Sequence, residues 1–185
     1  RHVELVHSYD GIYVYYDDGK MAHFIDMYVS AGIDAMMTLT PPPMGDAIPQ
    51  EVKAEYGGRL ALMGGVDAVN EVYLSNPDEI RRMAETGTGV AHCPVSNTIR
   101  AGQAWAVSPV KEMLAAGINV AFGHDCVMDP WYSFGSHDML EVAHMGLHVA
   151  QMTGNEEMRQ NFEAVTYNGA IALGLEGYGL MPGCH

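Results

Sequence analysis

Hydrophobic positions along the chain alternate between two spacings. Residues 12–16 are β-branched and aromatic, and residues 34–40, 60–63, 89–94 and 118–123 form short apolar runs bounded by Gly and Pro; all five predict strands. Between them the spacing becomes helical. Residues 20–31 place Met21, Phe24, Ile25, Tyr28 and Val29 on one face and stop before Gly32. Residues 48–56 run to Gly57, and 108–116 to Gly117. Asn76 is the expected cap of a further helix, with Pro77 at its first position and its end near Gly87. Residues 2–9 read as a helix tail, and two long helices are expected over 136–153 and 156–173.

Strands alternating with helices imply right-handed parallel units. The expected class is α/β: a partial or rearranged (β/α) barrel of the TIM type with a mostly parallel sheet of five or six strands, short of the eight that close a barrel. Val14, Met37, Leu62, Ala91 and Val120 fall on central strands, which helices should cover. The chain reads as a single α/β domain, 1–185, made of segments 1–70 and 78–185 that differ subtly in composition. An incomplete barrel leaves strand edges open, and a homo-oligomer is one way to cover them.

Charge narrows the partners. Nine basic residues stand against 23 acidic ones, a formal net charge of −14. Nucleic acid and anionic membrane surfaces call for a basic footprint, so neither is expected. No apolar run approaches the roughly 20 residues of a membrane helix, and no signal-peptide pattern opens the chain. The start at Arg1 suggests a fragment or a processed chain. Three cysteines, Cys93, Cys126 and Cys184, with no CxxC spacing predict neither a disulfide framework nor a cysteine zinc site. Reduced thiols in a cytoplasmic protein are the expectation, and the 14 methionines are read as core filler.

Chemistry concentrates at predicted strand ends. The run from Phe122 to Trp131 carries Asp125 off a buried strand into a polar loop. His92 and His124 flank strand ends, where a metal or ligand contact competes with ordinary core hydrogen bonding. Asn97 follows a strand and can bind a polar ligand or serve a turn. Parallel strands send their C-termini to one face, so Asp125, Asp17, His92 and Asn97 should cluster there. Asp17 and Asp18 either face that mouth or cap the helix after them. His137, Glu141, His144 and His148 form one helical stripe, and His144 and His148 have the spacing that chelates Zn or Ni.

Several of these segments carry a family resemblance. Gly87-Thr-Gly-Val-Ala-His-Cys-Pro-Val-Ser-Asn97, residues 110–125, Asp129-Pro-Trp-Tyr-Ser-Phe-Gly135, residues 139–148 and residues 175–183 resemble, in order and spacing, the C-terminal part of cytosine deaminases and related amidohydrolases. The resemblance implies metal-dependent hydrolytic deamination of a small heterocycle. It makes Asp125 a metal ligand and proton-moving base, and Trp131 the wall on which the base stacks. Asn97 and Cys126 fall on the substrate side, and His92 and His124 become further candidate ligands for a zinc or iron ion. The departures are specific: no His-x-His exists, the middle-strand His and the proton-shuttling Glu have no counterpart, and Cys126 stands where a second Asp is frequent.

Residues 3–67 resemble a different family. Tyr15-Tyr-Asp-Asp-Gly-Lys20, Ala31-Gly-Ile-Asp-Ala35, Pro41-Pro-Pro-Met-Gly-Asp46 and residues 51–67 are similar to uroporphyrinogen decarboxylases, also α/β barrels. Together the two resemblances imply a chimera of barrel fragments joined near 66–78. Two functional readings follow. One is a deaminase-type segment that is silent as this chain, with no tightly held metal at Asp125; the other is a non-catalytic chimera or fragment that only folds.

Overall fold

A computed structural model of the chain describes residues 1–65, 77–100 and 108–184, with the side chains of residues 99 and 100 excepted. The chain divides into two compact units, Arg1–Asn70 and Glu71–His185. The expected cap Asn76 lies outside the described residues.

In the first unit, α1 (His2–His7) precedes β1 (Val14–Tyr16), and a 3-10 turn (Ala22–Phe24) leads into α2 (Ile25–Ser30). Then come β2 (Ala35–Leu39), α3 (Pro49–Tyr56) and β3 (Ala61–Gly64). β2 is central and parallel to both neighbours, with Val14 opposite Ala35 and Ala35 opposite Ala61. One face of each helix supplies the core: Ile25 from α2 and the i, i+4 pair Val52 and Tyr56 from α3 meet Met36, Leu39 and Leu60.

Met36 and Leu39 are three residues apart and should point to opposite faces of a regular strand. Both are buried because the register slips between them, around Thr38, whose φ of 57° marks a bulge. The Thr38 hydroxyl lies 2.5 Å from the Asp17 carbonyl oxygen and 2.7 Å from that of Met37, which anchors the bulge to the end of β1. At the other end, Asp34 Oδ2 accepts the Tyr13 N–H at 2.6 Å and sits 2.7 Å from His7 Nε2, joining α1 to the start of both strands. His7, and then the Tyr13 N–H, hold that carboxyl below the usual range.

In the second unit, α4 (Pro77–Glu85) leads to β4 (Val90–His92), α5 (Pro94–Arg100), α6 (Val110–Ala115) and β5 (Val120–Phe122). Three further helices follow: α7 (Met139–Val149), α8 (Asn155–Ala164) and α9 (Tyr167–Ala172). β4 and β5 pair in parallel, with His92 opposite Phe122. β5 is buried along its whole length, packed by α6, α8 and α9. Asn168 Nδ2 donates to the Val120 carbonyl at 2.9 Å and Asn119 Nδ2 to the Asn168 carbonyl at 3.0 Å, so α9 is hydrogen-bonded to the strand it covers. Gly146 lets α7 approach: a Cβ there would lie 2.4 Å from Asn161 Oδ1 and 2.5 Å from a Phe122 ring carbon.

The mixed α/β class and the parallel pairing agree with the sequence reading. The strands number five among the described residues, but in sheets of three and two rather than one sheet. Strands of three to five residues make short ladders. Full cover by helices holds for Val120 alone among the five expected central positions: Val14, Met37 and Ala91 are exposed and Leu62 is half-buried. The helix expected over 156–173 breaks into α8 and α9 at residues 165–166, and α5 occupies residues read as strand end and turn. No helix among the described residues is long and apolar enough to cross a membrane.

Candidate functional site

The ends of β4 and β5 bring His92 and Asn97 to the same edge as His124, Asp125 and Cys126. Register places His92 opposite Phe122, and the Gly123 N–H donates to the His92 carbonyl at 2.8 Å. Both strands therefore release their chains at one edge, His92 into Cys93 and Asn97, and Phe122 into Gly123, His124, Asp125 and Cys126. Asp17 belongs to the other unit, at the end of β1, where it accepts the Tyr28 hydroxyl at 2.5 Å and raises that phenol's pKa.

His92 is 2% exposed, with its ring edge-on to Phe122 at 5.3 Å. Burial, which disfavours the imidazolium, pushes its pKa down to about 4. Asn97 Nδ2 lies 3.3 Å from Nδ1. With the amide as donor, the neutral ring carries its proton on Nε2, and that nitrogen is buried with no hydrogen-bond partner among the described residues. An unpaired buried donor is costly, so its persistence marks a place where a ligand acceptor would be favourable. Asn97 reaches this position from the first turn of α5, a helix not expected from the sequence.

His124 is 7% exposed, and neither ring nitrogen has a hydrogen-bond partner among the described residues. Nε2 lies 3.7 Å from Glu141 Oε2, too long for a hydrogen bond and an ion pair only if the ring is protonated. Glu141, on the first turn of α7, also accepts the Ser136 hydroxyl. The sequence places Glu141 on a helical stripe and does not link it to His124; that link needs the return of the loop after β5.

That loop returns tightly. A Cβ at Gly135 would lie 2.1 Å from the Cys126 carbonyl oxygen and 2.9 Å from His124 Cε1, so only glycine fits there. Asp125 has φ 66°, in the left-handed region, which an aspartate tolerates better than most side chains. Its side chain stands exposed between buried His124 and buried Cys126. Trp131 is 73% exposed, its N–H donating to Asp129 Oδ1 at 2.9 Å, with Tyr132 N–H on the same oxygen at 2.8 Å. The Tyr132 and Trp131 N–H groups keep the Asp129 carboxyl below its ordinary range.

The two thiols at this edge are held in their neutral, unreactive form. Burial first, and then the Asp125 carboxylate, push Cys93 and Cys126 up to about 11. Both remain protonated near neutrality, and the thiolate is the reactive form. The metal implied by the resemblance can be weighed against this donor set. No group of three or more His, Cys, Asp or Glu side chains among the described residues is placed to hold a metal ion. A catalytic zinc site ordinarily takes about three protein ligands, so the described residues of this chain do not by themselves fit one.

Comparison with known proteins supplies the family. Over 139 residues the chain is 40% identical to the 5-methylthioadenosine/S-adenosylhomocysteine deaminase of Moorella thermoacetica, an alignment covering 69% of this chain and 31% of that protein. The chain thus spans about a third of the length of the curated relatives it matches. Among solved structures, N-isopropylammelide isopropylaminohydrolase from Burkholderia multivorans superposes with a TM-score of 0.59 at 26% identity, covering 88% of this chain and 41% of that one. The 5-methylcytosine deaminase from Klebsiella pneumoniae superposes with a TM-score of 0.65, covering 94% of this chain and 55% of that one; at 20% identity the likeness is one of fold. The model of the amidohydrolase family matches residues 1–185, including the stretch that resembles uroporphyrinogen decarboxylases, and nothing found in these comparisons supports that second resemblance or a chimera. The chain belongs to the amidohydrolase family.

Proposed function

We propose that this protein takes part in hydrolytic deamination of a small nitrogen heterocycle, with residues 1–70 and 78–185 as two segments of one α/β domain. An adenine-type ring, as in the substrates named for its deaminase relatives, is the favoured substrate class. The observation that carries the reading is Asp125: a carboxylate in a left-handed turn at the end of the most buried strand, held outward between two buried neighbours.

In this reading Asp125 is the base that takes the proton of the attacking water and passes it to the leaving amine. The Nε2–H of His92, fixed by Asn97, donates to a ring nitrogen or carbonyl, and neutrality at pH 7 suits that task because no imidazolium has to be buried. Trp131 stacks on the ring once the loop closes on substrate, and Cys126 packs behind it as a small neutral side chain. The family resemblance implies a zinc or iron ion that would activate the water, but no step is assigned to it because the described donors do not fit one.

The second reading, a silent chain, draws on the same shortage of donors. Ammonia release from 5-methylthioadenosine, S-adenosylhomocysteine and cytosine separates the two. Turnover that falls by at least about 100-fold in Asp125→Asn, the range of a lost general base, supports the deaminase. Turnover unchanged in that variant removes Asp125 from the chemistry. No ammonia from any substrate, with zinc or iron supplied, leaves the silent reading standing.

A further inference from the structure

Helix α7 carries two exposed histidines at i, i+4, His144 and His148, whose Nε2 atoms lie 3.2 Å apart with ring centroids at 4.7 Å and planes crossed at 75°. We propose that this pair is a surface site for a borderline divalent cation, Cu²⁺, Ni²⁺ or Zn²⁺, separate from the chemistry at Asp125 and resting on geometry of α7 alone.

The separation is the argument. A tetrahedral ion with metal–nitrogen bonds of about 2.0–2.1 Å requires its two nitrogens about 3.3–3.4 Å apart, and a right-angled arrangement requires about 2.9 Å. The observed 3.2 Å falls between the two, so both geometries are reached by small rotations of exposed side chains. The helix itself fixes the spacing, because i and i+4 lie one above the other on one face. The helix is secured at its start by Asp138, which accepts the Leu140 N–H at 2.9 Å, and along its length by packing on α5 and α8.

Without metal, the two Nε2 atoms share one hydrogen bond, one ring donating and the other accepting. Ligation needs a lone pair on both. The donating ring therefore shifts its proton from Nε2 to Nδ1, and one N–H···N bond is exchanged for two metal–nitrogen bonds with no net proton release. Water fills the remaining positions, since no third His, Cys, Asp or Glu among the described residues is placed to join. Glu141, on the same stripe, is taken by Ser136. Two nitrogens and open water positions suit Cu²⁺ best, then Ni²⁺, then Zn²⁺.

Calorimetric titration of the whole chain with each ion, in a buffer that does not chelate, tests this. The expected result is one site per chain, tightest for Cu²⁺, weakened at least about tenfold in both His144→Ala and His148→Ala and retained in Asp125→Ala; tenfold is the loss of about 1.4 kcal/mol. A second measurement removes dependence on folding of the variants. Nitrogen-15 spectra of the wild-type histidines under Zn²⁺ should show His144 and His148 moving first and together. Binding undiminished in the two alanine variants, or other histidines moving first, would overturn the proposal, and neither outcome bears on deamination at Asp125.

Discussion

Acid should destabilise this protein first through His92, whose unfolded-state titration lies above that of the carboxyls. In the unfolded chain its imidazole takes a proton at the ordinary pKa of about 6.5. In the folded chain it does so only at about 4, because charging the ring at 2% exposure means burying an imidazolium against Phe122. Between those values the unfolded state binds more protons than the folded one, so stability falls as pH falls. The contribution is fully present above about pH 6.5 and is lost progressively down to about pH 4. From pH 7 to pH 5 the loss is about 2 kcal/mol, and by pH 4 about 3 kcal/mol. Against the 5–15 kcal/mol of an ordinary domain that is a large share.

The assay is urea unfolding followed by far-UV circular dichroism at pH 7, 6 and 5, with His92→Gln alongside. Glutamine keeps a polar side chain near Asn97 but cannot titrate, and every other ionisable group is common to both proteins. The wild type should therefore lose about 2 kcal/mol more than the variant between pH 7 and pH 5. Parallel pH dependence in the two proteins would refute the reasoning, since it would mean that His92 titrates alike in both states and is not buried as described.

Gly146→Ala adds a methyl group 2.4 Å from Asn161 Oδ1 and 2.5 Å from the Phe122 ring; the gain in helix propensity, about 1 kcal/mol, is outweighed by overpacking of about 1–3 kcal/mol. Urea midpoints should fall, and an unchanged or higher midpoint would mean that α7 does not press on β5. Asp138→Ala removes the acceptor of the Leu140 N–H and should cost about 1 kcal/mol, read as a lowered melting temperature that an Asp138→Asn variant largely restores.

The strand-helix grammar was legible because it is local. β-branched and apolar runs bounded by glycine and proline predicted the five strands of the described residues, and Gly32, Gly57, Gly87 and Gly117 marked helix ends correctly to within a residue or two. What stayed hidden depends on partners distant in sequence. Burial of Met36 together with Leu39 needs a bulge at Thr38, which no periodicity announces. α5 was missed because Pro94 reads as a strand stop, although proline also suits the first turn of a helix. At the candidate site, Asp125 and His92 could be named from strand ends, whereas the approach of Glu141 to His124 follows from Gly135 turning the loop back, and glycine alone does not say where a chain returns.

The placement of Asp125 follows from packing on either side of it. β5 is the best-buried strand, and its direction carries His124 inward, where Gly135 leaves no room for any side chain but hydrogen beneath the ring. Cys126 is driven inward as well, as a neutral thiol that costs little to bury. A regular extended strand would put His124 and Cys126 on one face and Asp125 on the other, against whatever covers it. The left-handed turn at Asp125 instead swings its carboxylate out at the strand end while both neighbours remain packed. Strain of that kind, of order 1 kcal/mol or more, persists only where surrounding structure over-determines it, and here His124, Cys126 and Gly135 do so together. In the proposed reading, the outward carboxylate and the neutral His92 donor on the adjoining strand are the parts that general-base chemistry would use.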